Sequence, residues 1–295
     1  MKKILMSGGT GLVGSRFIEL TKKLPYEFYI LTRSDKQDTE RIKYINWEQE
    51  GFISKVPQVD IVVNLAGASL SNRWTQKHKE AIVRSRIEST AKLKIIIDQQ
   101  QTKPFFISAS AVGYYPPAKH LTYTEEHQFK PFDFLSETVH LWEQEAHKIE
   151  MNDVRTAYGR FGVIFSNNGG ALPIMVKPYQ FFIGGNIGDG QQVYSWIHID
   201  DLIHGLLYIA DNELTGVYNM TAPHPATQEQ VGRAIAKTLH KPHLLPVPEA
   251  ALDAVLGEQA VMVTDGQRVL PEKLEQAGFK FEYPTIEKAL EDLYG

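Results

Sequence analysis

Lys3-Ile4-Leu5-Met6-Ser7-Gly8-Gly9-Thr10-Gly11-Leu12-Val13-Gly14 opens the chain with a short apolar run, a glycine cluster and the start of a second apolar stretch. Lys3 to Met6 reads as a strand and Leu12 to Lys23 as a helix. The glycines fall as G-x-x-G-x-x-G at Gly8, Gly11 and Gly14. Gly8 lets the chain turn sharply off the strand. Gly11 lets the backbone come close to a diphosphate, and Gly14 lets the helix pack on the sheet. The helix N-terminus offers free N–H groups and the positive end of its dipole to phosphate. Glycine-rich turns are common, so the motif alone is weak. Its place between a strand and a helix makes Gly8, Gly9, Thr10, Gly11, Leu12, Val13 and Gly14 candidate cofactor contacts. The bland alternative is a structural turn that holds no phosphate.

Outward from this loop, strands and helices alternate. Phe28 to Thr32, a short Ile42 to Trp47, Asp60 to Ala66, Pro104 to Ser108 and Val154 to Phe165 read as strands. Thr75 to Gln101 and Phe134 to Ile149 read as helices. Asp60 to Ala66 is apolar without alternation, as a strand buried on both faces should be. The pattern predicts an α/β fold, a doubly wound parallel Rossmann sheet. From about Gly169 glycine and proline become denser, and Ile199 to Ala210 and Thr227 to Leu239 read as helices. After the proline-punctuated stretch Pro242 to Pro248 come two short helices, Ala250 to Leu256 and Thr285 to Leu293. The expected organisation is a dinucleotide-binding domain over 1–168, with strand and helix contributions from 191–220. A smaller mixed α/β substrate-side region follows over 169–241, and a small C-terminal domain, a helical appendage, over 242–295.

The residue about 20 positions past the glycine loop selects the dinucleotide. An acid there favours NAD; here Arg33 occupies it, with Ser34 and Lys36 beside it. A guanidinium grips a 2′-phosphate in a forked bond, so NADP(H) is preferred. Asp35, two positions late, keeps NAD(H) open, and a solvated surface charge is the bland reading of Arg33.

The composition narrows the function classes. Absence of cysteine excludes a disulfide framework, a thiolate nucleophile and a cysteine-ligated metal. A net charge of -4 and no basic stripe give nucleic-acid binding no support. The ten histidines include no H-E-x-x-H, so no metal site is expected. No apolar run reaches the ~20 residues of a membrane span, so no membrane partner is expected and a cytoplasmic location is the default.

Further segments carry a resemblance. The glycine loop, Asn64-Leu65-Ala66-Gly67 and Ile107-Ser108-Ala109-Ser110 look like an extended short-chain dehydrogenase/reductase, of the NAD-dependent epimerase/dehydratase superfamily. Arg73-Trp74-Thr75, Ser85-Arg86-Ile87, Val112-Gly113-Tyr114-Tyr115, Trp142-Glu143 and Ser195-Trp196-Ile197-His198 with Asp201 narrow it. They resemble an atypical branch, the epimerase family proteins, which carry a small C-terminal domain of unknown function. The resemblance implies a bound nicotinamide cofactor touching Leu65, Ala66, Gly67 and Ser108, and a catalytic serine at Ser110. It names no substrate.

In that superfamily a tyrosine relays the proton and a lysine one helical turn later tunes it. Both should open the helix at Phe134 to Val139, which reads Phe134-Leu135-Ser136-Glu137-Thr138-Val139. Neither residue is there. Tyr115 and Lys119 have the spacing, but Pro116 and Pro117 deny them a helical turn. Two readings fit Tyr114 and Tyr115, either as substitute acids or as aromatic wall. His198 is a candidate proton donor or a structural residue bonded to backbone or Asp201. Arg73, Arg160 and Trp196 are candidate substrate contacts. Arg73 and Arg86 are candidates for binding an anionic substrate, with a charged helix face in water the safer reading of Arg86. The expected function is an NADP(H)-dependent oxidoreductase or sugar-nucleotide-epimerase-like enzyme acting on a small molecule, with a homodimer possible through the two long helices. The alternative is a non-catalytic NADP(H)-binding redox sensor or scaffold.

Overall fold

The computed structural model describes residues 1–244, 246 and 257–295. Seven parallel strands make the central sheet: β1 (Lys2–Ser7), β2 (Tyr26–Thr32), β3 (Ile42–Asn46), β4 (Ile61–Asn64), β5 (Phe105–Ala111), β7 (Thr156–Phe161) and β11 (Gly216–Met220). The two-residue strand β6 (Thr122–Tyr123) lies between β5 and β7 in sequence but outside this sheet. The strand order is β11-β7-β5-β4-β1-β2-β3, so the direction of winding reverses between β1 and β4. Ile4 pairs with Phe28 on one side and Ile61 on the other.

Period-two alternation divides the core. Ile4, Met6, Val63 and Ile107 face one helical layer, where they meet Phe17 of α1 (Leu12–Leu20) and Leu202 and Leu206 of α5 (Ile199–Asp211). Leu5, Val62 and Phe106 face the other, against Leu93 and Ile97 of α2 (Gln76–Asp98) and Ala146 and Ile149 of α3 (Phe134–Glu150). Both faces are covered, which is why these strands read as unbroken apolar runs. Thr75 caps α2 by accepting from His78 N, and Asp133 with Ser136 forms a capping box on α3.

The expected strand from Val154 to Phe165 is two strands, β7 and β8 (Val163–Phe165). Between them Gly162 has no room for a Cβ, because the Ser195 carbonyl lies against it. The chain leaves the sheet there and pairs with β10 (Trp196–His198) instead. A helix the sequence did not announce, α4 (Leu172–Gln180), packs Leu172, Val176 and Tyr179 against Phe165 and Trp196. That second core is closed by α6 (Gln228–Thr238) and the C-terminal helix Ile286–Tyr294.

The chain beyond residue 257 reaches both cores. Leu274 and Phe279 join the cluster under β1, and Ile286, Leu290 and Leu293 join the second. Strand β13 (Arg268–Val269) pairs parallel with β6. The expected helix Ala250 to Leu256 lies outside the described residues.

Candidate functional site

The glycine loop meets its steric demands. Gly8 has φ +71°, and a Cβ there would come within 2.6 Å of the Leu65 carbonyl carbon and 2.8 Å of Ala66 N. A Cβ on Gly14 would meet Gly8 O and Gly9 Cα at 2.5 Å. Gly11 N donates to Gly8 O at 3.0 Å, closing the turn. Gly11 caps α1 without any side-chain bond, and the first turn of α1 has no acid. The helix therefore keeps its first N–H groups and its positive end for an outside anion.

The loop sits where the winding of the sheet reverses, the usual place for a ligand in an open α/β sheet. Ser7 Oγ donates to Asn64 Oδ1 at 2.7 Å, and Ala66 N donates to Ser7 Oγ at 3.3 Å. Asn64 Nδ2 reaches Thr90 Oγ1 at 2.8 Å. These bonds tie the ends of β1 and β4 to α2 and hold Leu65, Ala66 and Gly67 beside the loop. Ser108 is buried on β5, its hydroxyl on Ala109 O at 3.2 Å. A cleft of about 560 Å³ opens beside α1, bounded by Thr10, Gly11, Leu12, Ser166, His198 and Asp200.

Arg33 and Ser34 are exposed past the end of β2. Among the described residues no partner engages the Arg33 side chain. Asp35, the residue that kept NAD(H) open, has one carboxylate oxygen engaged: Oδ1 accepts from Asn46 Nδ2 and Gln49 Nε2, both at 2.9 Å.

Around Ser110 the sequence reading is corrected in several places. Ser110 Oγ donates to Glu143 Oε1 at 2.6 Å. Glu143 also accepts from Arg160 Nε and Nη2, each at 2.8 Å. Arg160 Nη1 donates to Tyr115 Oη at 3.0 Å, and Tyr115 donates to Asn219 Oδ1 at 2.8 Å. The Arg160 guanidinium lies 3.3 Å from the Tyr114 ring centroid, and His140 stacks on the same ring at 4.6 Å. Arg160, expected at the substrate, is 4% exposed and internal to this network. Burial works against its charge, but the forked bonds to Glu143 overcome that and raise its pKa. Tyr115, expected as a substitute acid, is held up by burial, which Arg160 only partly offsets. Tyr114 Oη accepts from Phe129 N at 3.2 Å. Both tyrosine hydroxyls are hydrogen-bonded within the protein.

Trp196 is fully buried, stacked on Phe165 at 5.4 Å with Nε1 on His224 O, so no face of it is open to a substrate. His198 is 1% exposed, and its Nδ1 accepts from Asp200 N at 3.1 Å as the cap of α5. Its Nε2 lies 3.2 Å from Asp292 Oδ2 but is not aligned for a hydrogen bond. Burial lowers its pKa, with Asp200 and Asp292 pulling the other way. Asp201 has a separate task, accepting from Glu282 N and Tyr283 N. Arg73 is exposed on the loop before α2, its side chain without a partner among the described residues.

Sequence reasoning missed the bracing residues Glu143, Asn219 and Glu125. Asn219 N donates to Glu125 Oε1 at 2.9 Å, and burial raises the pKa of that carboxyl against the N–H bonds it accepts. Asn219 stands 104 positions from Tyr115, and no local pattern links them. Arg86 was also misread. Its guanidinium is turned inward under Gly67 and over the Trp142 ring, at 5.0 Å from the centroid.

Comparison with known proteins meets this geometry. The NAD dependent epimerase/dehydratase family matches residues 4–221, and a domain of unknown function (DUF1731) matches residues 247–293. The chain belongs to the NAD-dependent epimerase/dehydratase family. An epimerase family protein of Staphylococcus haemolyticus is 47% identical over 99% of both chains, and one of Staphylococcus aureus 46% over 99% of both. Among solved structures, human epimerase family protein SDR39U1 with NADPH is 29% identical, with a TM-score of 0.91 over 99% of both chains. UDP-glucuronic acid 4-epimerase of Bacillus cereus, at 17% identity and TM-score 0.80 over 99% of this chain and 98% of that one, shares the fold. Within this epimerase-family chain the opening of α3 keeps Phe134, which meets Trp74 edge-on at 5.3 Å. One turn on, Thr138 bonds its own helix at Phe134 O.

Proposed function

We propose that this chain binds NADP(H) across the end of β1 and β4 and acts as an oxidoreductase or epimerase-like enzyme on a small cytoplasmic hydroxyl or carbonyl compound. The observation that carries the reading is the uncapped, acid-free start of α1 behind a loop with no room for Cβ atoms at Gly8 and Gly14. The pyrophosphate binds at that helix start. Arg33 and Ser34 receive the 2′-phosphate, in keeping with the NADPH in the human relative. Bound nicotinamide supplies hydride transfer. Ser110 donates its hydrogen bond to Glu143, which leaves its oxygen as an acceptor for a substrate hydroxyl. The residues over 169–241 complete the substrate side.

A second reading, a redox sensor or scaffold, is favoured by one observation: the two tyrosines nearest Ser110 are both engaged around Arg160. Calorimetry with NADPH, NADP+ and NADH, followed by absorbance at the reduced-nicotinamide band with a panel of aldehydes, ketones and sugar nucleotides, separates the two. Tight NADPH binding with substrate-dependent loss of absorbance supports the enzyme. Tight binding without turnover, and unequal affinity for the oxidised and reduced forms, supports the sensor. No heat with any coenzyme removes both.

A further inference from the structure

The end of α4 presents an apolar surface that the rest of the chain leaves in water. Phe181, Phe182 and Ile183 are 65%, 58% and 54% exposed. No other stretch of the described residues exposes three large apolar side chains in succession. Ile174, two turns earlier on the same face of the helix, is exposed as well. Leu244, also exposed, joins the group through its N–H, which donates to Gly184 O at 2.9 Å. Lone exposed apolar residues are ordinary, but a contiguous group marks a binding surface. Phe182 holds its place under strain. Phe182 N donates to Tyr179 O and Ile183 N to Pro178 O, each at 3.0 Å, the bonds of a helix end that usually sets glycine at this position. The φ of Phe182 is +61°, a left-handed conformation that a bulky residue rarely adopts. Burial does not offset that cost, because the ring is mostly in water with Lys241 Nζ 4.0 Å from its centroid. Strain of this kind is typical of places where a side chain has a task.

We propose that this patch docks on an anionic lipid surface, with Phe181, Phe182 and Ile183 seated below the headgroups and lysines level with them. The charge around the patch fits that occupant. Lys177 is exposed on α4, and Lys241 lies over Phe182. No Asp or Glu occurs from Val154 to Gly188 or from Gln230 to Leu244. The acids that border those stretches are engaged, Asp189 with Lys119 and Glu229 with Arg233. The whole chain carries a net charge of -4, so the attraction is confined to this face. Lysines flanking an apolar wedge are drawn to a negatively charged membrane surface. A second copy docking by twofold symmetry would instead bring the lysines of both copies together, with no carboxylate in the patch to meet them. No helix among the described residues is long and apolar enough to cross a membrane, so the contact is one of surface, which a short apolar run does not exclude. The other face of α4 packs Leu172, Val176 and Tyr179 into the second core, which holds the patch in a fixed orientation.

The test is co-sedimentation of the full-length protein with vesicles of phosphatidylcholine alone and of phosphatidylcholine with phosphatidylglycerol, at low and at raised salt. The expected result is saturable binding to the anionic vesicles only, weakened by salt. Phe182→Gly should weaken it about tenfold, with Tm unchanged or raised because glycine is at ease in the left-handed backbone. Lys177→Gln and Lys241→Gln should each weaken it about fivefold. No sedimentation with the anionic vesicles overturns the proposal. Equal binding to neutral and anionic vesicles overturns it too, as does a folded Phe182→Gly protein that binds like the wild type. Sedimentation equilibrium without lipid covers the other occupant. A dimer that Phe182→Gly dissociates assigns the patch to a second copy and removes the lipid. Should Phe182→Gly fail to fold, Phe181→Ser takes its place, with a loss of similar size expected and wild-type binding again overturning the proposal.

Discussion

At the scale of single residues, two side chains decide the chemistry on offer. Among the described residues the Arg33 side chain past β2 has no partner, while Asp35 Oδ1 accepts from Asn46 and Gln49. One oxygen of the acid that would favour a ribose hydroxyl is already engaged. Arg33→Asp should therefore weaken NADPH binding by about 1.5–3 kcal/mol, the worth of a hydrogen bond to a charged group, and leave NADH almost unchanged. Parallel titrations check this, and equal losses for the two coenzymes remove the assignment. His198 gives a pH signature. Its folded pKa is lowered by burial, so the unfolded chain binds its proton more readily. Its neutral form contributes stability above the unfolded value of about 6.5, and that stability is lost as pH falls through it toward the folded value. His198→Gln should flatten the drop in Tm between about pH 7 and pH 5. An unchanged slope in the variant would show that other groups set the acid limit.

At the scale of elements, the starts of helices carry the architecture. The start of α1 is left bare for an anion, whereas α2, α3 and α6 are closed by Thr75, Asp133 and Thr227. The start of α5 is spent on a different task. Asp201, in its first turn, accepts from Glu282 N at 2.8 Å and Tyr283 N at 2.9 Å, fastening the C-terminal stretch to the Rossmann layer. Losing a charged acceptor from two part-buried backbone donors costs about 2–3 kcal/mol. Asp201→Ala should lower the free energy of unfolding by that amount in urea titration, with Asn intermediate, because its amide oxygen keeps one of the two bonds while its NH2 faces the other N–H. A change of a few tenths would show that the fastening adds nothing.

At the scale of the molecule, the C-terminal stretch and the Rossmann sheet share their interior. Leu274 and Phe279 sit in the cluster with Ile4 and Met6, and Val269 lies with Tyr114, Tyr115 and Tyr123. Gln267 Nε2 reaches Val112 O, and Asn219 Nδ2 reaches Leu270 O. A chain ending at residue 265 would expose these surfaces and leave Asn219 Nδ2 and Ser195 Oγ without the backbone acceptors they use, Leu270 O and Gln267 O. It should lose cooperative unfolding or become insoluble, judged by calorimetry and by the soluble fraction on expression. A truncated chain that melts as sharply as the whole one would show that the shared core is dispensable.

The strand periodicity, the glycine spacing and Arg33 were all readable along the chain, because each depends on neighbours within one turn or one strand. The parallel sheet, the bare helix start and the family follow from them. What Ser110, Tyr115, Arg160, Trp196 and Arg86 touch was not readable in that way. Their partners, Glu143, Asn219, Phe165 and Gly67, come from other elements, and only packing brings them within hydrogen-bond or ring distance. A polar residue's type says which bonds it can make. Whether it spends them on the protein or keeps them for a ligand depends on which groups the folded chain places against it, and burial then makes every unspent bond costly.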